Sequence, residues 1–245
     1  MFPLIWESPR KKNLPCALLE LLAAAARQLA LRMSYEDVIR VAQAKIDPAR
    51  LPRIARDLGV NPDQAFTVTE FLKPGIEELC SILPSVLARG VLAIAERFPA
   101  LARAHWGMAV NTRSISGYLR FAVLASLRPL RRGTFRFKQE QEAIEAWLRL
   151  VVQAAPLSPE LAIEVAECAG LIKGYGDTHK RGAGNYRAIA AQAITPALAG
   201  DMPVRRAIDA VASARTAALL DPEGEALAKC LAGLSQTPVH AIAAE

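Results

Sequence analysis

The chain has 245 residues, 52% of them hydrophobic but only 6% aromatic, and a formal net charge of +6 at pH 7. That length supports a substantial core, the apolar share excludes an intrinsically disordered chain, and so modest a charge does not by itself point to nucleic acid. No apolar run reaches the roughly 18 uncharged residues that a membrane span needs, because the longest candidate, Leu14 to Leu31, carries Glu20 and Arg27.

Ala- and Leu-rich segments with few aromatics predict a mainly α protein, a multi-helix bundle with at most a small two-stranded β element. Leu14 to Met33 reads as one long helix, and Ser34 with Asp37 signals the cap of a second through about Ile46. Asp47-Pro48 restarts the chain into a short basic helix, Arg50 to Leu58, closed by Gly59 before an Asn61-Pro62-Asp63 turn. The β-prone runs Phe66 to Thr69 with Phe71, and Met108 to Arg113, are expected to pair, with Lys73-Pro74-Gly75 breaking the first ahead of a helix from Ile76 to Arg97. Ser116 to Leu127 is the next helix, and it runs into the basic segment RPLRRGTFRFK. Gln139 to Gln153 has an apolar face of Ile144, Trp147, Leu148 and Val151, and Ser158-Pro159 opens the helix that follows. Asn185 to Leu198, Val204 to Leu220 and Glu223 to Leu234 close the chain. No repeat or long linker forces a boundary, so one helical domain over residues 1–245 is expected, with 1–13 and 235–245 flexible.

Cys16, Cys80, Cys168 and Cys230 lie far apart and lack the spacing of a zinc or iron–sulfur ligand set, so no metal site is expected and the thiols are expected to be small buried hydrophobes. The start MFPLIWESPRKKN places its apolar patch ahead of its charges, unlike an export signal. The expectation is a cytoplasmic protein with no membrane and no nucleic-acid partner.

The most unusual segment is LIKGYGDTHKRG, Leu171 to Gly182, where glycines and cations crowd together. Lys173, Gly174, Tyr175, Gly176, Asp177, Thr178, His179, Lys180 and Arg181 are the candidate ligand-binding residues, with backbone N–H groups and basic side chains facing an anion. A helix cap with a solvated basic turn is the alternative, and residue chemistry leaves both open. The segment matches neither a P-loop nor a dinucleotide fingerprint. Asp177 and His179 would serve as an acid/base pair only if the backbone turned both toward one point, and Asp177 is otherwise expected to cap the turn or pair with Arg181. Secondary candidates at the ends of the β-prone runs are Glu70, Lys73, Arg113, Ser114 and Ser116; catalytic residues stay unassigned. Phe135 and Phe137 would share one side if RPLRRGTFRFK were extended, although a turn with both rings in the core is the favoured reading. His105, beside Trp106, is expected to be packed.

Five stretches, MSYEDVIRVAQAKI (Met33 to Ile46), VTEFLKPGIEEL (Val68 to Leu79), TRSISGYLRF (Thr112 to Phe121), EQEAIEAWL (Glu140 to Leu148) and EVAECAGLIKGYGDTHKRG (Glu164 to Gly182), together resemble the C-terminal region of the beta subunit of bacterial indolepyruvate ferredoxin oxidoreductases. The resemblance covers about residues 25–220. It implies an accessory module of an oxidoreductase that decarboxylates arylpyruvates with thiamine diphosphate, iron–sulfur clusters and coenzyme A, not catalytic on its own. Its implied partner is the thiamine-containing subunit or domain. The gamma-type α/β domain that begins the family's beta subunit has no counterpart before residue 25, which leaves a fragment, a truncated product or a free-standing version of the region. Gly176-Asp177 is followed by Thr178 where the Gly-Asp-Gly of a thiamine motif needs its second glycine, so those cofactors are expected in the parent complex and none on this chain. The alternative expectation is a free-standing binder of a phosphorylated or anionic small molecule through residues 173–182.

Overall fold

The computed structural model describes residues 16–35, 37–61, 64–174 and 176–236. In chain order its elements are α1 (Cys16–Met33), α2 (Val38–Lys45), α3 (Arg50–Asp57), β1 (Thr69–Leu72), α4 (Ile76–Ser81), α5 (Ser85–Arg97), α6 (Pro99–Ala102), β2 (Met108–Asn111), α7 (Ile115–Ser126), a 3₁₀ turn (Arg128–Gly133), α8 (Phe135–Ala154), α9 (Pro159–Glu167), a second 3₁₀ turn (Cys168–Leu171), α10 (Gly176–Ile189), a π-helical turn (Ala190–Ile194), α11 (Thr195–Ala199), α12 (Val204–Leu220) and α13 (Glu225–Gln236). The fold is mainly α, with a single antiparallel ribbon among the described residues. Of the ends taken from the sequence as flexible, 1–13 and 235–245, residues 1–13 and 237–245 lie outside the described residues, as do Pro62 and Asp63 of the expected turn, while 235 and 236 are the last residues of α13.

Local signals start and stop these helices where their chemistry requires. The Asp37 carboxylate accepts the N–H groups of Ile39 (2.8 Å) and Arg40 (3.1 Å), capping α2. Ser158 does the same for α9, whose first residue is Pro159, and Gly59 ends the α3 region with φ of 64°. The expected helix from Ile76 to Arg97 is instead broken in two. Pro84, extended at φ −55° and ψ 143°, cannot continue the helical hydrogen bonds, and Leu83 O instead accepts the Phe135 N–H at 2.8 Å.

The chain groups into two compact units, Met1–Ser34 with Ile144–Glu245, and Tyr35–Ala143. In the first, here the terminal unit, Trp147, Leu161, Val165, Ile189, Ile194 and Val211 are fully enclosed, with alanines of α9 and α12 letting the backbones approach. The Trp147 indole donates to Val165 O at 3.3 Å. In the second, the middle unit, the core cluster is small: Ala42, Val110, Phe121 and Ala125, flanked by Ile46, Leu72 and Leu124. The ribbon pairs Thr69 with Asn111 and Leu72 with Met108, and its Val110 reaches that core while Phe71 faces solvent.

Candidate functional site

The glycine-rich segment is a helical corner, not a long loop. Leu171 ends the 3₁₀ turn, residues 172–174 change direction, and α10 begins at Gly176, nine residues ahead of the expected Asn185. Gly174 and Gly176 take φ of 77° and 53°, which side chains disfavour. A Cβ on Gly182 would lie 2.1 Å from Leu171 O, so only glycine lets α10 pass this close to the preceding turn. Three of the glycines that suggested an anion loop are therefore needed by the fold itself.

The polar residues of the corner divide between solvent and packing. Lys173, Gly174, Asp177, Thr178 and Lys180 are exposed and His179 is half-buried; Tyr175 lies outside the described residues. Asp177 and His179 sit two apart on a helix, so they face different directions and form no acid/base pair. Arg181, expected to pair with Asp177, instead reaches Glu223 at 3.3 Å, with Thr178 Oγ1 at 3.5 Å. Four residues on, Asn185 Nδ2 donates to Pro222 O at 3.1 Å, so one stripe of α10 fastens the turn that precedes α13. On α9, Glu164 accepts from both Nε (3.0 Å) and Nη2 (2.8 Å) of Arg215, and Glu167 pairs with Arg27 and accepts from Gln28 Nε2 at 2.7 Å.

The secondary candidates also serve as anchors. Glu70, half-buried on β1, pairs with Lys45 (2.7 Å) and with the buried Arg50, whose Nη1 donates to Thr112 Oγ1 at 3.3 Å. Ser114 caps α7, accepting the Gly117 N–H at 3.0 Å and donating to Asn111 O at 2.7 Å, while Ser116 is exposed with its hydroxyl 3.5 Å from that of Ser114. Arg113 donates to Phe66 O at 2.7 Å and lies over the Phe66 ring. Lys73 borders an apolar hollow of about 330 Å³ beneath Phe71 and Met108. These five residues belong to the middle unit, whereas residues 173–182 belong to the terminal unit. His105, expected to be packed, is exposed, its Nδ1 2.8 Å from Arg103 O.

Thiols and aromatics follow burial. Cys80 and Cys168 are buried and Cys230 half-buried, but Cys16 is exposed, against expectation. Burial pushes the Cys168 thiol up to about 12 and, likewise, the Tyr186 phenol up to about 12. Phe135 and Phe137 open α8 and are half-buried, so their alternation in sequence is not the alternation of a strand. Among the described residues no group of three or more His, Cys, Asp or Glu is placed to hold a metal ion, and no helix is long and apolar enough to cross a membrane.

Sequence reasoning passed over a cleft of about 630 Å³ in the middle unit, where Arg40, Tyr118, Arg128 and Arg131 converge. Its arginines are spread from residue 40 to residue 131, and no spacing rule gathers them. Residues 7–192 match the model of a family of unknown function, DUF6537. No curated protein and no solved structure matches the chain.

Proposed function

The chain belongs to the DUF6537 family, whose function is unknown, and we propose that it is an accessory helical module of an arylpyruvate ferredoxin oxidoreductase of the indolepyruvate type. Thiamine diphosphate, iron–sulfur clusters and coenzyme A belong to the partner subunit or domain, in the cytoplasm, and this chain supports that partner through contact. The reading rests on the resemblance of the five stretches. One observation favours a supporting role over a catalytic one: in the most distinctive stretch, Glu164 to Gly182, the conspicuous residues hold helices together. Gly182 admits Leu171 O, Glu164 holds Arg215 and Glu167 holds Arg27.

The test is to recover the tagged chain from its native extract, and to assay the recovered assembly and the isolated chain for ferredoxin reduction with indolepyruvate and phenylpyruvate. The expected result is activity and thiamine diphosphate in the assembly and neither in the chain alone. Turnover by the isolated chain, or an assembly without thiamine diphosphate, would overturn the proposal. A second reading, an anion-binding module at 173–182, draws on the exposed Lys173 and Lys180 beside the start of α10. It predicts that Lys180→Ala abolishes binding of a phosphorylated ligand by the isolated chain.

A further inference from the structure

The cleft in the middle unit has the size of a small-molecule site and a lining that the fold leaves largely unspent. It is built where α2, α7 and the 3₁₀ turn Arg128–Gly133 pack on one another. Arg40 comes from the first turn of α2, Ile46 and Pro48 from just past its end, Tyr118 from α7, and Arg128 and Arg131 from the turn.

The three guanidinium groups differ in what already holds them. Arg131 Nε donates to the Asp37 carboxylate, and its guanidinium carbon lies 5.7 Å from the centroid of the Phe137 ring and 5.9 Å from that of Tyr35. That residue is thus fixed in place and largely neutralised. Arg128 is exposed and pairs with no carboxylate among the described residues, and the hydrogen bond shown for Arg40 is a long one, 3.4 Å to Gln43 Oε1. Asp47, the carboxylate lining the cleft, has Oδ1 committed to the Ala49 N–H at 2.8 Å. Asp47 keeps its negative charge, so against the two positive charges of Arg40 and Arg128 the lining retains a surplus of one. Beside them, the half-exposed Tyr118 with Ile46 and Pro48 offers an apolar surface.

A carboxylate is satisfied by one bidentate arginine, whereas a phosphate has three oxygens and takes donors from several directions. We propose that this cleft binds a phosphorylated aromatic small molecule of nucleotide size, with Arg40 and Arg128 on the phosphate and the Tyr118 ring against the flat group. The site lies wholly within the middle unit and does not rest on the oxidoreductase reading.

Calorimetric titration of the full chain with ADP, adenosine and inorganic phosphate tests it. ADP should bind, and Arg128→Gln should weaken it tenfold or more, with Arg40→Gln as the second variant should the first melt early. Tyr118→Ala should weaken ADP and leave inorganic phosphate unchanged. No ADP binding at millimolar concentration, or an ADP affinity indifferent to both arginine variants, would overturn the proposal. Loss of binding in Lys180→Ala but not in Arg128→Gln would overturn it too, by moving the ligand to the start of α10.

Discussion

The terminal and middle units are built from similar helices but held together by different means. In the terminal unit, long helices bury Trp147, Leu161, Val165 and Val211 in one continuous apolar cluster, and ion pairs such as Glu164–Arg215 add to a core that is already closed. In the middle unit the helices are shorter, the cluster around Phe121 and Val110 is small, and Ile115, Val86, Phe71 and Leu130 remain exposed. There the polar contacts carry more of the structure: Arg50 and Lys45 on Glu70, Arg131 on Asp37, Arg136 on Glu140. A small helical unit that leaves apolar faces open has less area out of water to set against chain entropy. Its loops and clefts are correspondingly better placed to change shape around a ligand.

The sharpest way to break this contrast is to empty the larger core. Trp147→Ala removes the biggest enclosed side chain and should cost about 3–5 kcal/mol, read by denaturant unfolding with amide exchange. Protection should fall mainly in α9 and α12; an equal fall in α2 and α7 would erase the distinction between the units. Next is Gly182→Ala, where the new methyl meets Leu171 O and α10 must move, at about 1–3 kcal/mol. A neutral outcome would mean that the corner is not as tight as its geometry says. In the middle unit, Arg50→Ala leaves Glu70 with Lys45 alone and should cost about 1–2 kcal/mol, with exchange rising first along β1 and β2. If exchange there did not change, polar anchoring would not be what holds the ribbon.

The smallest effect is the most diagnostic of the closed core. The Tyr186 hydroxyl is buried without a hydrogen-bond partner, so Tyr186→Phe should shift stability by less than about 1 kcal/mol, toward greater stability. Its ionisation is linked to pH in a definite direction. Tyr186 and Cys168 are raised in the fold from 10.0 and 9.0 to about 12, so the core favours their neutral forms. The stability they confer is fully present below about pH 9 and is lost as pH rises toward 12, because the unfolded chain ionises first. Melting temperatures across that range should fall less steeply for Tyr186→Phe than for the parent chain, and identical slopes would remove the phenol from the account.

Several residues announced their structural role in advance. Asp37, Ser158 with Pro159, and Gly59 marked helix ends because capping and positive φ are local matters, and the ribbon was legible from two β-prone runs. Pro84 was a local signal too, and overlooking it merged α4 with α5. The candidate site was read less well. Gly174, Gly176 and Gly182 were singled out correctly as unusual, but what they accommodate is a carbonyl and a change of direction. Arg181 found Glu223 rather than Asp177 because α10 lies along the turn before α13, a neighbour remote in sequence.

A mainly α chain, the caps, the apolar stripe of α8 and the pairing of β1 with β2 were legible residue by residue, since each depends on positions within a few of one another or on a simple period. Long-range packing is what makes the glycine-rich segment a tight corner, shares Glu70 between Lys45 and Arg50, and places Arg40, Tyr118 and Arg128 around one cleft. Those outcomes depend on which helix faces meet, and helix contacts between distant residues follow from burying area and matching shape, which no local spacing encodes.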